Sequence, residues 1–135
     1  MQLAFPITTD KLTEYLPHRP PMRWIDEVRD GNSAVVHLDA SRHYMTDGKL
    51  RASALIEFIA QGFAYSAAAD RLLKGTLSPP GKTFLAAFSQ VEIADDLPSS
   101  GDIIIKARLV KELGSLIMIQ GEVRDSQDRL LCKAT

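Results

Sequence analysis

The sequence predicts an α+β domain in which one long central helix is wrapped by a curled antiparallel β-sheet. Two observations carry this expectation. From Ala52 to Ala69 the only polar side chains are Ser53, Glu57, Gln61, Ser66 and the hydroxyl of Tyr65. That stretch is rich in Ala, Leu and Phe, and it ends on Asp70, Arg71, Lys74 and Gly75, a C-terminal helix signature. The second half of the chain consists of strand-like segments joined by short turns, which gives an antiparallel sheet. A single long apolar helix must bury its surface, and the sheet is what can cover it.

The elements follow in order. Asp10 to Leu16 fits a short helix capped by Thr9 or Asp10 and stopped by Pro17. Leu16 to Pro21 holds three prolines and cannot be regular structure. Met22 to Arg29 reads as a strand, Asp30-Gly31-Asn32 as a turn. Ser33 to Ala40 alternates, with Ala34, Val36, Leu38 and Ala40 on one face and Ser33, His37 and Asp39 on the other, although Val35 breaks the polar face. Arg42 to Arg51 is polar and irregular with a turn at Asp47-Gly48. Beyond the helix, strands are expected at Phe84–Ile93, Asp102–Lys111, Leu116–Arg124 and Leu130–Ala134. Gly114-Ser115 and Asp125 to Asp128 supply turns between them.

The chain has 135 residues, enough for one domain spanning 1–135. Its net charge of −1 gives no general reason to bind nucleic acid or an anionic membrane. The helix approaches a membrane span in length, but a carboxylate and an amide at its middle are costly in lipid, so it reads as buried in protein. The N-terminus, MQLAFPITTDKL, shows no basic stretch followed by an apolar one, which sets a cytoplasmic expectation. The one cysteine, Cys132, sits in an apolar run with no metal-ligand spacing around it; a buried, inert thiol and no metal are expected.

Ser53, Glu57 and Gln61 are spaced by four and line one stripe of the helix. Burial of the Glu57 carboxyl would favour its protonated form and suit it to general-acid chemistry. The alternative is a carboxylate that simply hydrogen-bonds a neighbouring loop. His43, in the loop before the helix, is of the right type for proton transfer near neutral pH, or it is a solvated loop histidine. The first N–H groups of the helix, near Ala52, lack helical partners and could polarise a carbonyl oxygen. His37 falls on the polar face of a strand and reads as exposed. His18 reads as a turn residue.

Several motifs resemble the β-hydroxyacyl-acyl-carrier-protein dehydratases, a hotdog-fold family. LPHRPPMRWIDEV (Leu16 to Val28) is similar to that family's opening L-P-H-R-x-P-x-x-x-x-D-x-V. HYMTDGKLRASALIEFIAQ is similar to H-F-P-G-x-P-x-x-P-G-V-L-x-x-E-A-M-A-Q, and in both the glutamate lies fourteen residues after the histidine. FLAAFSQVEI, LPSSGDIIIKARLVK and LLCKAT resemble the family's second half. The departures cluster in one loop: Tyr44, Met45 and Thr46 replace F-P-G, and Arg51-Ala52 replaces the later P-G. Asp47-Gly48 looks closer to a divergent bacterial branch of predicted hydroxyacyl-carrier-protein dehydratases, including members found beside aryl-polyene synthesis genes.

The resemblance implies a hotdog homodimer with active sites at the interface. It implies dehydration of (3R)-3-hydroxyacyl thioesters carried on phosphopantetheine of acyl carrier protein or coenzyme A, in fatty-acid-like or polyene lipid synthesis. His43 would be the base and Glu57, from the partner subunit, the acid. The Ala52 amide would bind the thioester oxygen and Gln61 would orient Glu57. Acid–base dehydration needs no metal or redox cofactor. Arg23, Arg42, Lys49 and Arg51 could form a basic rim for an acidic carrier protein, or be solvated charge. Two other readings stay open: a hotdog thioesterase in which the helix carboxylate activates water or attacks the thioester, and a non-catalytic acyl-binding subunit.

Overall fold

A computed structural model describes residues 4–16, 22–39, 41–75, 88–114 and 116–135. Nine strands and one long helix are present among them: β1 (Ile7–Thr8), β2 (Glu27–Asp30), β3 (Ser33–His37), β4 (Met45–Thr46), β5 (Lys49–Leu50), α1 (Ala52–Leu73), β6 (Glu92–Ile93), β7 (Asp102–Leu113), β8 (Leu116–Asp125) and β9 (Leu130–Ala134). The large sheet has the order β1-β2-β3-β7-β8-β9-β6, antiparallel throughout, and α1 packs across β2, β3, β7 and β8. One long helix on a curled antiparallel sheet is the hotdog fold. Register irregularities at Val28/Asp30 and Leu109/Lys111 bend strands locally and help the sheet to curl.

Helix α1 starts at Ala52, as expected, and runs to Leu73, where Gly75 takes a φ of 70°. Its buried face carries Ala54, Leu55, Phe58, Ile59, Gly62, Tyr65 and Ala69. A second stripe, Ile56, Ala60, Phe63 and Ala67, is only half-buried, so one chain covers the helix less completely than its apolar composition led us to expect. Among the described residues no helix is long and apolar enough to cross a membrane.

Two glycines set the distance between helix and sheet. A Cβ on Gly62 would lie 2.6 Å from Ile105 Cγ2, and one on Gly121 would lie 2.3 Å from Ile59 Cγ2. Both are closer than side chains tolerate, so neither position accepts a larger residue without movement of a buried isoleucine.

Several local expectations are corrected. The 3-10 turn Thr9–Tyr15 begins one residue early, and Thr8 at its N-cap makes no capping bond. The Thr9 hydroxyl instead donates to the Ile25 carbonyl at 2.6 Å, because that carbonyl is buried and needs a donor. The strand expected from Met22 begins only at Glu27, since the backbone of Met22 to Asp26 is satisfied largely by side chains and isolated bonds rather than by a ladder. The strand expected to Ala40 ends at His37, and Ser33 to Val36 are all buried, not alternately exposed. The loop around Asp47-Gly48 is ordered as the β4–β5 hairpin, with φ of 52° and 74° at those two residues, the left-handed pair of a type I′ turn. The proline-rich residues 17–21, His18, Ala40, Phe84 to Ala87 and Ser115 lie outside the described residues.

Cys132 is buried between β8 and β6, and burial pushes its thiol up to about 11, so the inert-thiol expectation holds. His37 is exposed but not idle. Its Nδ1 lies 2.7 Å from Asp102 Oδ1, tying the end of β3 to the start of β7. Hydrogen bonding to that carboxylate raises the His37 pKa above 6.5.

Two outcomes are expected. Gly121→Ala costs about 1–3 kcal/mol in urea unfolding. Gly62→Ala costs less, because alanine's helix propensity returns up to about 1 kcal/mol; equal stability of wild type and Gly121→Ala would contradict the close contact. Stability from the His37–Asp102 pair is fully present below pH 6.5 and is lost as pH rises through the raised folded-state pKa. The pair is half-exposed, so the effect stays below about 1 kcal/mol. Asp102→Asn should remove that part of the pH dependence; an unchanged pH–stability curve would assign it to another group.

Candidate active site

The stripe predicted on α1 is built around Gln61. The residue is 1% exposed, and its side chain makes three hydrogen bonds. Oε1 accepts from the Trp24 N–H at 2.9 Å, while Nε2 donates to the Met22 carbonyl at 2.9 Å and to Glu57 Oε1 at 3.0 Å. A backbone N–H can only donate and a carbonyl can only accept, so the orientation of the amide is determined by its partners. Glu57 is half-buried, one helical turn before Gln61, and its carboxylate is held from that side. The spacing of four therefore does what it suggested: the two side chains meet. Both earlier readings of Glu57 survive this geometry. It is hydrogen-bonded within the fold, and its position leaves it partly accessible.

His43 lies in the turn between Asp39 and β4, with its side chain exposed. The next residue, Tyr44, is fully buried and anchors that turn. Its hydroxyl accepts from the Asp39 N–H at 2.9 Å and reaches the His37 carbonyl at 3.4 Å, and burial raises its pKa above 10.0. Tyr44 packs edge-on against Trp24 and Phe58, with the three ring centroids 5.4–5.8 Å apart. This aromatic cluster joins the His43 turn, the Met22–Asp26 segment and α1 into one unit. No described contact within one chain joins His43 to Glu57.

The predicted basic residues divide. Lys49 is exposed on β5. Arg42 is half-buried; its guanidinium donates to the Arg23 carbonyl and lies 5.7 Å from the Tyr44 ring centroid. Arg51 donates to the His43 carbonyl and lies 5.9 Å from the Trp24 ring centroid. Arg51 is also the N-cap of α1, and no side chain caps the helix there. Ala52 and Ser53, the first two residues, are exposed. Sequence reasoning missed Trp24 and Tyr44 as the residues that brace this region. The sole tryptophan of the chain, two residues before the Asp26 of the opening motif, was the available signal.

A shallow hollow of about 190 Å³ is lined by Glu92, Ile93, Ala94, Leu130, Leu131 and Cys132. It contains none of these residues. Among the described residues, no group of His, Cys, Asp and Glu is arranged to hold a metal ion.

One long helix laid across a curled antiparallel sheet defines the class as a hotdog protein. A crystal structure of a thioesterase-superfamily protein aligns with a TM-score of 0.55 at 15% identity, covering 80% of this chain and 49% of that one. At that identity it speaks for the fold, and this chain spans about half the length of the solved protein. No curated protein matches in sequence. The profile of the ApeP-like family, described as ApeP dehydratase, matches residues 10–135, and the chain belongs to that family.

Replacing Gln61 by Leu should cost about 1–3 kcal/mol for the buried Trp24 N–H that loses its acceptor, and less for the carbonyl of exposed Met22, which water can reach. Denaturant unfolding measures this; a neutral Gln61→Leu would mean that water replaces the amide.

Proposed function

We propose that this chain dehydrates (3R)-3-hydroxyacyl thioesters, carried on the phosphopantetheine of an acyl carrier protein, to trans-2-enoyl thioesters. The observation that carries the reading is the match to a dehydratase family across a region that includes both His43 and Glu57. In the reaction His43 removes the proton next to the thioester carbonyl. Glu57 protonates the β-hydroxyl, the C–O bond breaks, and water leaves as the double bond forms. The Ala52 amide, at the exposed and uncapped start of α1, donates to the thioester oxygen as charge develops on it. The step is acid–base throughout, so the reading calls on no metal or redox cofactor.

We further propose that the working unit is a homodimer, with Glu57 of one subunit facing His43 of the other. Two features support this. No described contact joins the two side chains within one chain, and the half-buried stripe Ile56, Ala60, Phe63 and Ala67 leaves apolar helix surface for a second chain to cover. Of the predicted basic residues, Lys49 has an exposed charge to offer an acidic carrier, while Arg42 and Arg51 have part of their hydrogen-bonding capacity engaged within the fold and Arg23 is half-buried. The reading places the protein in the cytoplasm, in fatty-acid-like or polyene lipid synthesis.

The test is turnover of a carrier-bound 3-hydroxyacyl chain by wild type, His43→Ala and Glu57→Gln, each confirmed folded and dimeric. Enoyl formation should fall by roughly 10²–10⁴-fold in each variant. Release of free thiol that persists in His43→Ala would replace the reading with a thioesterase. Binding of acyl carrier without turnover would replace it with a non-catalytic subunit.

A further inference from the structure

We infer that Arg51 is a positioning residue that fixes the backbone of His43 against the start of α1. The inference rests on the dehydratase reading for its catalytic consequence, and on the geometry alone for the clamp itself. Arg51 reaches four groups at once. Its guanidinium Nη2 donates to the His43 carbonyl. Its own N–H donates to the Tyr44 carbonyl at 2.9 Å. Its carbonyl accepts from the Ala54 N–H at 3.0 Å, the first turn of α1. Its Cζ stands 5.9 Å from the Trp24 ring centroid, with that ring itself buried and its backbone N–H held by Gln61.

Two consecutive carbonyls, those of His43 and Tyr44, are therefore drawn to one residue. The His43–Tyr44 peptide is held while both bonds last, and the backbone it fixes sets the point and direction from which the His43 side chain leaves the chain. Tyr44 is anchored from the other side by its buried ring and its hydroxyl contact to Asp39. The His43 ring itself is exposed, so the part of its placement that described contacts restrain is its backbone. The two backbone bonds of Arg51 would survive any substitution other than proline. The bond to His43 and the stacking on Trp24 need the guanidinium, whose planar fork can stack on a ring and donate at its edge at the same time. A lysine can donate but cannot stack in that way.

This role separates from carrier docking in the kinetics. A residue that holds the base in place acts on the chemical step, whereas a docking residue acts on association. The experiment compares wild type, Arg51→Lys and Arg51→Ala with a carrier-bound 3-hydroxyacyl substrate. It also records the ring signals of histidine-labelled protein by NMR, with the His43 signal assigned by its loss in His43→Ala. Arg51→Ala should lower kcat on the order of 10–100-fold, with little change in KM or melting temperature. Its His43 signal should shift or broaden while that of His37 stays in place. Arg51→Lys should fall between the two. A raised KM with unchanged kcat would overturn the inference and make Arg51 a carrier contact. Unchanged kinetics in Arg51→Ala would overturn it as well. Should wild type show no turnover, the dehydratase reading fails, and the NMR comparison still decides the clamp: an unmoved His43 signal in Arg51→Ala would overturn it.

Discussion

Helix α1 lies on the sheet at a spacing that only missing side chains permit. The Ile59 side chain occupies the space above Gly121 where a Cβ would stand, and Ile105 occupies the space beside Gly62. Close-packed interiors do not deform gradually, so these two contacts fix both the height of the helix and its rotation about its own axis. That rotation turns Gln61 toward the Met22–Trp24 backbone and leaves Glu57 one turn away at the edge of the buried face. The aromatic cluster of Trp24, Tyr44 and Phe58 then carries the same reference from the helix to the His43 turn. Core packing and site geometry are, in this molecule, the same set of contacts seen from two ends.

The helix and most of the sheet were legible because their signals are local. Eighteen residues with few polar side chains, closed by Lys74 and Gly75, define a helix whatever surrounds it, and Leu130–Ala134 was bounded by turn residues on the side that mattered. The Glu57–Gln61 contact was legible for the same reason, since a spacing of four brings side chains together on any helix. The Met22–Asp26 segment was misread because its apolar pattern fits a strand. What denies it a regular ladder is long-range: the Gln61 amide takes the Trp24 N–H, Thr9 takes the Ile25 carbonyl, and Arg42 takes that of Arg23. No window of sequence contains both ends of those bonds. The partner of Arg42 was hidden in the same way; Arg51 bonds a carbonyl only eight residues back, but nothing in the residue types marks that contact, and both looked like surface charge.

The loop that departs from the resembled family has its own means of order. Where that family has F-P-G and a later P-G, this chain has a buried tyrosine with a bonded hydroxyl, a two-residue turn with left-handed φ at Asp47 and Gly48, and an arginine at the helix start. Prolines limit a loop by restricting its torsions. Here the restriction comes from local backbone bonds, such as Met45 N–H to the Arg42 carbonyl, together with ring contacts that only the rest of the fold supplies.

The fixed amide of Gln61 has a consequence for the carboxylate it touches. One of its two N–H groups points at Glu57 Oε1 and needs a lone pair there. The two oxygens of Glu57 are thereby made inequivalent. The bond engages Oε1 as an acceptor, so the amide holds one named oxygen of the carboxyl group and sets the plane in which the group lies. An isolated carboxyl is symmetric; this one has a handedness, written by a buried amide one turn along the same helix.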